Sequence, residues 1–339
     1  MPRPAAALTL ALLMLPGLVA AQDCTGRNLI EAMPAETRAL LQETVGAVPY
    51  HRGILWRATR GAQRITLIGT YHFQDPRHDA MMARLGPDLA DAALLMVEAG
   101  PEEETRLSEA LARDPALTVI TDGPTLPERL TPGEWRTLSD AMAARGTPPV
   151  IAAKLRPWYV SMMLGISPCM LRGIARDGEV RGLDHMLVAR AEAMGLPVRA
   201  LEPWDTVFTL FADLTPAQEE DMIRATLPAA EYADDYAVTM TDTYFDADVW
   251  TIWEFGRFDA YAHSGLGRAA VDEQMALART KLMDDRNASW IAPLTEAAAE
   301  AAARGKGVVA GFGALHLPGE QGVLRLLEMD GWTIERLDG

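Results

Sequence analysis

The chain has 339 residues, with 31 Lys and Arg against 47 Asp and Glu, so its formal net charge is −16. Because proteins usually attach to nucleic acid through a basic surface, this acidic balance disfavours a nucleic-acid partner. A hydrophobic content of 49% and a charged content of 23% are typical of a globular protein, and they exclude disordered, collagen-like and coiled-coil chains.

Residues 1–21 have the pattern of a cleavable signal peptide. Arg3 precedes the apolar run 5–20, which ends in small residues, and we expect cleavage before Gln22. No later segment has the roughly 18 to 20 uninterrupted apolar residues that a membrane span needs. We therefore predict a periplasmic or secreted protein with no integral membrane span. Lipid anchoring at Cys24 is the less favoured alternative, because the preceding Asp23 is neither small nor apolar.

Two cysteines, Cys24 and Cys169, remain after this cleavage. In an exported protein an even pair of cysteines predicts a structural disulfide. A catalytic thiol is the alternative, but the residues next to Cys169 include no cation or histidine that would lower its pKa.

The predicted elements begin with a helix over 29–45. Two strands follow, 54–60 and 64–73, and a short turn at 61–63 favours an antiparallel hairpin. A helix over 77–91 leads to a continuous apolar run, 93–98, of the kind found in a strand covered on both faces.

The middle of the chain, 102–258, is mostly helical by pattern and is divided by proline and glycine. One strand, 198–202, interrupts it after a helix over 183–194. The predicted elements of the remaining chain are helices over 272–283 and 287–304, a buried strand over 307–315, a helix over 319–329 and a strand over 332–337. Together these elements predict a mixed α/β fold with a central mixed β-sheet of about six strands and helices packed on it.

Two of the strands run into the same short motif, Gly-x-x-His. Gly69 to His72 lies at the end of the second strand, and Gly313 to His316 lies at the end of the last buried strand. A glycine lets the backbone turn sharply, so the histidine projects from the carboxyl end of the strand, where ligands bind in sheets covered by helices. Since one site would need both ends of the chain, we predict a single domain over 22–339, with 102–258 a mostly helical elaboration.

Acidic residues end two further strands, Glu98 and Glu202. Two imidazoles and a carboxylate form a suitable ligand set for Mn²⁺, Co²⁺ or Zn²⁺, and we predict that His72, His316 and Glu98 hold such an ion. A bound metal would lower the pKa of water and polarise a carbonyl, as hydrolysis requires. The alternative is that these groups are structural histidines and turn caps.

Other motifs add little to this prediction. No His-Glu-x-x-His, Gly-x-Ser-x-Gly or phosphate-loop pattern is present. His51, His185 and His263 have no motif around them and are interpreted as structural. His78 could face the same cleft, but its surroundings also look like an ordinary helix entry.

Several motifs together resemble the TraB/GumN family, which is related to the Tiki metalloproteases. They are the paired Gly-x-x-His, the strand ending in Glu98, Leu155-Arg-Pro-Trp158, Gly182-Leu-Asp-His-Met-Leu187, Leu201-Glu-Pro203, Asp285-Arg-Asn-x-x-Trp290 and the closing segment 311–337. The resemblance covers essentially the whole mature chain, and the closing segment is its most specific part.

The resemblance implies a divalent-metal-dependent, peptidase-like activity in a mixed α/β fold. His72 and His316 would be the motif histidines and Glu98 the accompanying acid, while Arg286 and Asn287 would be a polar pair facing the same site. Arg286 has two physical interpretations, stabilisation of a developing oxyanion or a place in the N-terminal cap of the helix that carries Trp290.

Three hypotheses follow for the function. The first is an exported metal-dependent hydrolase acting on a peptide or small molecule, with Tyr71, Glu202 and Asn287 near the substrate. The second keeps His72 as general base, oriented by Glu98, without a metal. The third is a periplasmic binding protein for haem or another small ligand, in which Tyr71 and His72 touch the ligand without turnover. Tyr71 also departs from the family pattern, where a smaller or aliphatic residue is expected.

Overall fold

The computed structural model describes residues 24–177 and 181–339. The predicted signal peptide, residues 1–21, lies outside the described residues. Within them one sheet contains six strands, which are β1 (Leu55–Arg60), β2 (Gln63–Thr70), β3 (Ala92–Val97), β4 (Val198–Ala200), β5 (Gly307–Gly313) and β6 (Thr333–Arg336). The predicted mixed α/β fold is confirmed.

Helices make up most of the remaining structure. In chain order they are α1 (Leu29–Ala32), α2 (Ala35–Gly46), α3 (His78–Ala90), α4 (Pro101–Arg113), α5 (Leu126–Arg129), α6 (Pro132–Ala144), α7 (Pro149–Ala152), α8 (Pro157–Leu164), α9 (Pro168–Asp177), α10 (Leu183–Met194), α11 (Thr206–Phe211), α12 (Pro216–Thr226), α13 (Ala233–Phe245), α14 (Val249–His263), α15 (Arg268–Arg279), α16 (Asp285–Ala302) and α17 (Val323–Met329). Short 3₁₀ segments cover Pro115–Leu117, Pro228–Tyr232 and Ala314–His316, and a π-helical segment covers Thr280–Asp284.

The strands lie in the order β4-β3-β5-β2-β1-β6. β2, β3, β4 and β5 pair in parallel, whereas β1 pairs antiparallel with both β2 and β6. The hairpin between β1 and β2 closes from Arg60 to Gln63 across Gly61, whose positive φ of 61° suits a tight two-residue turn. Because β5 lies between β2 and β3, the carboxyl ends of strands from both ends of the chain meet at one edge.

The sheet is covered by helices on both faces, as the alternation along β5 shows. Val308, Ala310 and Phe312 pack into a core with α16 and α17, whereas Val309 packs into a second core with α3 and α10. On that second face a Cβ placed on Gly311 would lie 2.7 Å from Leu187 Cδ1, so the glycine makes room for α10. Both faces of β5 are therefore packed against apolar side chains.

The helical middle has a core of its own, formed by residues of α5 to α8 and α12. Buried Arg145 organises it by donating hydrogen bonds to four backbone carbonyls, those of Ala141, Met163, Leu164 and Ile166, at 2.8–3.0 Å. A guanidinium stays charged inside a protein, so it tolerates burial only when its N–H groups find such acceptors.

The N-terminal segment is attached to this helical region. Cys24 and Cys169 form a disulfide, as predicted, with a Cα–Cα distance of 5.4 Å. Further along the segment, the Leu29 amide donates to Thr239 Oγ1 on α13 at 2.8 Å. Among the described residues, no helix has both the length and the apolar character needed to cross a membrane.

Three predicted helix boundaries differ from the structure. The helix expected over 319–329 begins only at Val323, the first residue of α17. The helix expected over 29–45 is interrupted at Met33 and Pro34, because proline offers no N–H to continue it. Conversely, the two helices expected over 272–283 and 287–304 are one continuous helical stretch, which passes from α15 to α16 through Thr280–Asp284. Such π-helical insertions are frequent at functional sites.

Strand ends are also shorter than predicted. β2 ends at Thr70 rather than 73, and β5 ends at Gly313, after which the chain enters the 3₁₀ turn Ala314–His316. The single-domain organisation stays a prediction. What the sheet establishes is that strands from 55–70 and from 307–336 are direct neighbours.

Candidate active site

The three residues predicted as metal ligands converge at Gly313. A Cβ placed on this glycine would lie 3.2 Å from Glu98 Oε1, 3.5 Å from His316 Cδ2 and 3.6 Å from His72 Nε2. Glu98 follows β3, His72 follows β2 and His316 follows β5. The order β3-β5-β2 thus brings together side chains that are distant in the chain, as the sequence led us to expect.

The first motif glycine, Gly69, is also a point of close approach. A Cβ there would lie 2.8 Å from the backbone Cα of Ala314, which belongs to the second motif. A backbone atom cannot move aside as a flexible side chain can, so only glycine lets the ends of β2 and β5 pack together.

His72 is oriented by a carboxylate on α10. Its Nδ1 lies 3.0 Å from Asp184 Oδ2. The helix is placed by the Leu183 amide, which donates to the Tyr71 carbonyl at 2.9 Å, and by Gly182, where any Cβ would collide with the backbone of His72. Asp184 in the first turn of α10 therefore reaches the imidazole.

The Asp184 contact sets the protonation of His72. Burial opposes the charged form, but the hydrogen bond to Asp184 and the charges of Asp184 and Glu98 raise the pKa of His72 above its ordinary value. The side chain is 55% exposed, and the structure gives Nε2 no partner among the residues it describes. His72 is therefore fixed at Nδ1, and its other ring nitrogen has no partner among the described residues.

His316 is a buried, neutral imidazole whose hydrogen bonds place the proton on Nδ1. Asn287 Nδ2 donates to the Gln321 carbonyl at 2.8 Å, so Asn287 Oδ1 is left to accept from His316 Nδ1 at 2.6 Å. His316 Nε2 then accepts from Arg286 Nη1 at 3.2 Å. Burial, with the nearby positive charges of Arg286 and His72, lowers the pKa of His316 to about 4.

Arg286 donates hydrogen bonds to three other residues of the site, Glu98, Glu202 and His316. Its Nε and Nη2 donate to the two oxygens of Glu202 at 2.6 and 2.9 Å, and Nη2 also donates to Glu98 Oε2 at 2.7 Å. Nη1 donates to the Leu282 carbonyl at 3.0 Å and to His316. All five N–H groups thus have acceptors, and the paired geometry with Glu202 is the strong, bidentate kind.

This geometry bears on both sequence interpretations of Arg286. The residue lies within a continuous helical stretch, so it does not cap a helix start, and no side-chain cap is made at that position. In this arrangement no N–H group remains for an oxyanion either. Arg286 instead fixes Glu98, Glu202 and His316 relative to one another.

Glu98 is held as a carboxylate. Burial alone would raise its pKa, but the neighbouring His316, Arg286 and His72 and the amide of Gly313 together lower the pKa of Glu98 to about 2. The Gly313 amide donates to Oε1 at 2.5 Å. Both oxygens of Glu98 therefore accept hydrogen bonds within the protein.

The hydrogen bonds of His316 and Glu98 determine how well these residues could bind a metal ion. Imidazole and carboxylate are appropriate donors, yet the described residues contain no group of three or more His, Cys, Asp or Glu arranged to hold one. His316 Nε2 faces the guanidinium of Arg286, and both Glu98 oxygens are engaged. In this arrangement His72, Glu98 and His316 do not form a ligand set that fits Mn²⁺, Co²⁺ or Zn²⁺.

Asp184 and His185 are the site residues that the sequence reasoning missed. The sequence pattern assigns the orientation of His72 to Glu98, not to Asp184, and it gives His185 only a structural role. His185 lies 3.5 Å from Asp184 Oδ1 and 3.4 Å from Glu104 Oε1, and these two carboxylates raise its pKa to about 10. The signal was present in the Gly-Leu-Asp-His segment, whose glycine is required by the contact with His72.

The remaining histidines do not join the site. His78 is buried against Tyr244 and Phe245, and its Nε2 lies 3.0 Å from the Phe73 carbonyl. The rings of His51 and His263 contact the Val48 carbonyl and Asp259, respectively.

A large cavity begins at the Glu98–Arg286 cluster. Its volume is about 840 Å³, and Glu98, Glu202, Arg286 and Tyr71 are among its lining residues. His72, His316 and Asn287 do not line it, so Tyr71 and His72 do not face one ligand from the same side. Tyr71 is anchored by its hydroxyl, which lies 2.7 Å from Thr241 Oγ1.

These features define a class of protein: a mixed α/β protein with a His, Glu and Arg cluster at the carboxyl ends of parallel strands, beside a cavity walled by helices. A model of the TraB/PrgY/gumN family matches residues 54–336, and the chain belongs to this family. The match confirms the resemblance seen in the sequence motifs. Comparison with curated proteins found no match.

Proposed function

We propose that the protein is an exported hydrolase of ester or amide bonds in which His72 is the general base. The observation that carries the proposal is the Asp184–His72 hydrogen bond, which leaves Nε2 unpartnered among the described residues and directed to the place where Glu98 and His316 converge. The disulfide between Cys24 and Cys169 supports export, because such bonds persist in oxidising compartments.

The proton chemistry follows from the pKa of His72. When neutral, Nε2 accepts a proton from a water molecule as the water oxygen attacks the carbonyl carbon, while Nδ1–H donates to Asp184, and the carboxylate stabilises the imidazolium that forms. The imidazolium then returns the proton to the leaving alcohol or amine as the C–O or C–N bond breaks, so His72 is neutral again. Since Asp184 raises the pKa of His72, the base becomes available only as pH rises through that elevated value. The second sequence hypothesis gave the orienting role to Glu98; in the structure the carboxylate bonded to the ring is that of Asp184.

Glu98 and Arg286 lie between His72 and the cavity, and their role is to set the charge and geometry next to His72. With a pKa of about 2, Glu98 remains a carboxylate throughout the neutral range. Its charge favours the imidazolium form of His72 as the proton is transferred. Arg286 keeps this carboxylate in place and acts as a positioning residue.

Hydrolysis of p-nitrophenyl butanoate and of alanine p-nitroanilide tests the proposal. His72→Ala should lower kcat/KM by about 10²- to 10⁴-fold, the usual worth of a general base. Asp184→Asn should lower kcat and move the rising limb of the pH profile to lower pH. His51→Gln, a histidine outside the site, is the control and should be unchanged. Equal activity of His72→Ala and the wild-type protein would refute the role of His72.

A metal-dependent form of the hydrolase is a second proposal, supported by the convergence of His72, Glu98 and His316 at Gly313. It requires Arg286 to release His316 and Glu98. Elemental analysis of protein purified without added metal or nickel resin should then show Mn, Co or Zn at one ion per chain, lost in the His72→Ala/His316→Ala double variant. Unchanged metal content in that variant, together with activity that chelators do not affect, would favour the metal-free form.

Ligand binding without turnover is the alternative that the cavity itself supports. A titration with haemin followed by visible absorption tests it directly. A Soret shift that disappears in His72→Ala would support binding of haem through this residue. A shift that is absent from the wild-type protein would remove haem as the ligand.

A further inference from the structure

We infer that the cavity holds one long, unbranched acyl chain, attached to an uncharged head that presents an ester or amide carbonyl to the strand-end cluster. The inference names the substrate class of the hydrolase and rests on the proposed function in that respect. Occupancy of the cavity by the chain can nevertheless be tested by binding alone.

The size and walls of the cavity indicate an apolar ligand. Its volume of about 840 Å³ lies toward the upper end of the range for small-molecule sites. Residues of α8, α12, α13, α14 and α15 line it, and most of their side chains there are aliphatic, aromatic or methionine. A cavity of this size and composition offers few hydrogen-bonding partners to a polar molecule, so apolar burial must supply the affinity.

The particular side chains suit a flexible chain better than a rigid one. Trp158 and Phe211 stack with their ring planes 13° apart and form a flat apolar wall. Met222, Met240 and Met275 also line the cavity. Unbranched thioether side chains adapt to irregular apolar shapes, which is the property that a site for an alkyl chain requires.

The charges around the cavity decide the kind of head group. The lining includes five acidic side chains, those of Glu98, Glu103, Glu104, Glu202 and Asp259, against two basic ones, Lys281 and Arg286. Arg286 is already paired with Glu98 and Glu202, and Lys281 lies 3.8 Å from Asp213. A carboxylate or phosphate head would meet net repulsion, so a neutral carbonyl compound fits better than a free fatty acid or the propionates of haem.

The cavity also connects the chain to the proposed chemistry. Glu98 and Arg286 line the cavity, and Glu98 also lies beside His72 at Gly313. A carbonyl placed beside this cluster therefore lies at the boundary between the apolar space and Nε2 of His72. Its alkyl chain extends away from the strand ends, between the helices.

Binding of two fluorescent, uncharged probes tests the occupant: N-dodecyl and N-butyl dansylamide. Each methylene buried in an apolar site strengthens binding by about fourfold, so the dodecyl probe should bind the wild-type protein at least 100-fold more tightly than the butyl probe. Ala278→Trp and Ala225→Trp, which fill the cavity from α15 and α12, should each weaken dodecyl binding at least tenfold. Ala276→Trp, on the exposed side of α15, is the matched control and should bind as the wild type does.

Competition against the dodecyl probe separates the possible occupants. Methyl dodecanoate should displace it at lower concentration than dodecanoate does, whereas an apolar peptide such as Leu-Leu-Leu amide should not displace it. Equal affinity for the two probes, displacement by the peptide alone, or unchanged dodecyl binding in both folded tryptophan variants would overturn the inference. Circular dichroism establishes that the variants are folded.

Failure of the hydrolase proposal has a different signature. His72→Ala should bind the dodecyl probe normally, so the binding results stand whether or not the protein hydrolyses esters. If His72-dependent hydrolysis is observed, kcat/KM should rise at least tenfold from p-nitrophenyl butanoate to the dodecanoate. Hydrolysis without this chain-length preference would overturn the inference and leave the proposed function intact.

Discussion

The sheet has a parallel half, β2 to β5, and an antiparallel half, formed by β1 and β6. An ion pair from each half shows how differently the two are exposed to water. In the parallel half, Arg286 pairs with Glu98 and Glu202, and the three side chains are only 16%, 22% and 10% exposed. In the antiparallel half, Arg60 at the end of β1 pairs with Asp330, the residue after α17, and these side chains are 37% and 47% exposed. The first group is largely removed from water and must be satisfied internally, whereas the second is solvated whether paired or not.

Strand direction explains the difference. Parallel neighbours place their carboxyl ends at the same edge, so the polar residues that follow β2, β3 and β5 are brought together. β1 and β6 run antiparallel to their neighbours, and their charged side chains lie at the outer part of the sheet. The candidate site therefore depends on the parallel pairing of β2, β5 and β3 rather than on the sheet as a whole.

The largest effect is expected from Arg286→Met. Removing the guanidinium leaves Glu98 and Glu202 as partly buried carboxylates without their cation, and we expect the free energy of unfolding to fall by roughly 2–4 kcal/mol. Urea denaturation at pH 7 measures it. A loss below about 1 kcal/mol would mean that solvent compensates the two carboxylates, and the contrast between the two halves would disappear.

A pH-dependent effect of similar or smaller size is expected from His316. Its pKa is about 4 in the folded protein and about 6.5 when unfolded, so the unfolded chain binds more protons between these values. Stability from this group is therefore complete above pH 6.5 and is lost as pH falls toward 4, by an amount on the order of 3 kcal/mol.

Comparison of the wild-type protein with His316→Gln isolates that contribution. Unfolding free energies measured from pH 4 to 8 should converge at the acidic end and diverge at the neutral end. Curves that remain parallel across this range would show that His316 does not titrate with a lowered pKa.

A third, smaller effect is expected from Gly69→Ala. The added methyl would meet the backbone of Ala314, and overpacking of this kind costs about 1–3 kcal/mol. Gly307→Ala is the control, because the nearest atoms there belong to the side chain of Arg64 and can move. Thermal denaturation compares the two; equal losses would indicate that the ends of β2 and β5 do not require a glycine.

The smallest effect is expected from Arg60→Met in the antiparallel half. An exposed ion pair contributes at most about 1 kcal/mol, and less at high salt. Urea denaturation at low and at 0.5 M salt measures this contribution directly. A loss as large as that of Arg286→Met would contradict the distinction between the two halves.

The sequence motifs predicted a large part of this molecule correctly because they reflect local requirements. The glycine of each Gly-x-x-His marks a place where backbones approach, and periodicity located the strands that precede them. The apolar run before Glu98 and the isolated pair Cys24 and Cys169 were equally informative. By contrast, the continuity of α15 with α16 was missed, since a π-helical segment leaves no characteristic residue pattern.

By itself, then, the sequence determined the mixed α/β fold, the family and the strand-end residues His72, Glu98 and His316. Only the tertiary structure decided what these residues contact. Asp184 rather than Glu98 orients His72, and Arg286 uses every N–H group on its own helical stretch and on neighbours from three other parts of the chain. The physical reason is that a hydrogen bond depends on distances of about 3 Å between atoms, and those distances are set by how strands and helices pack rather than by spacing along the chain.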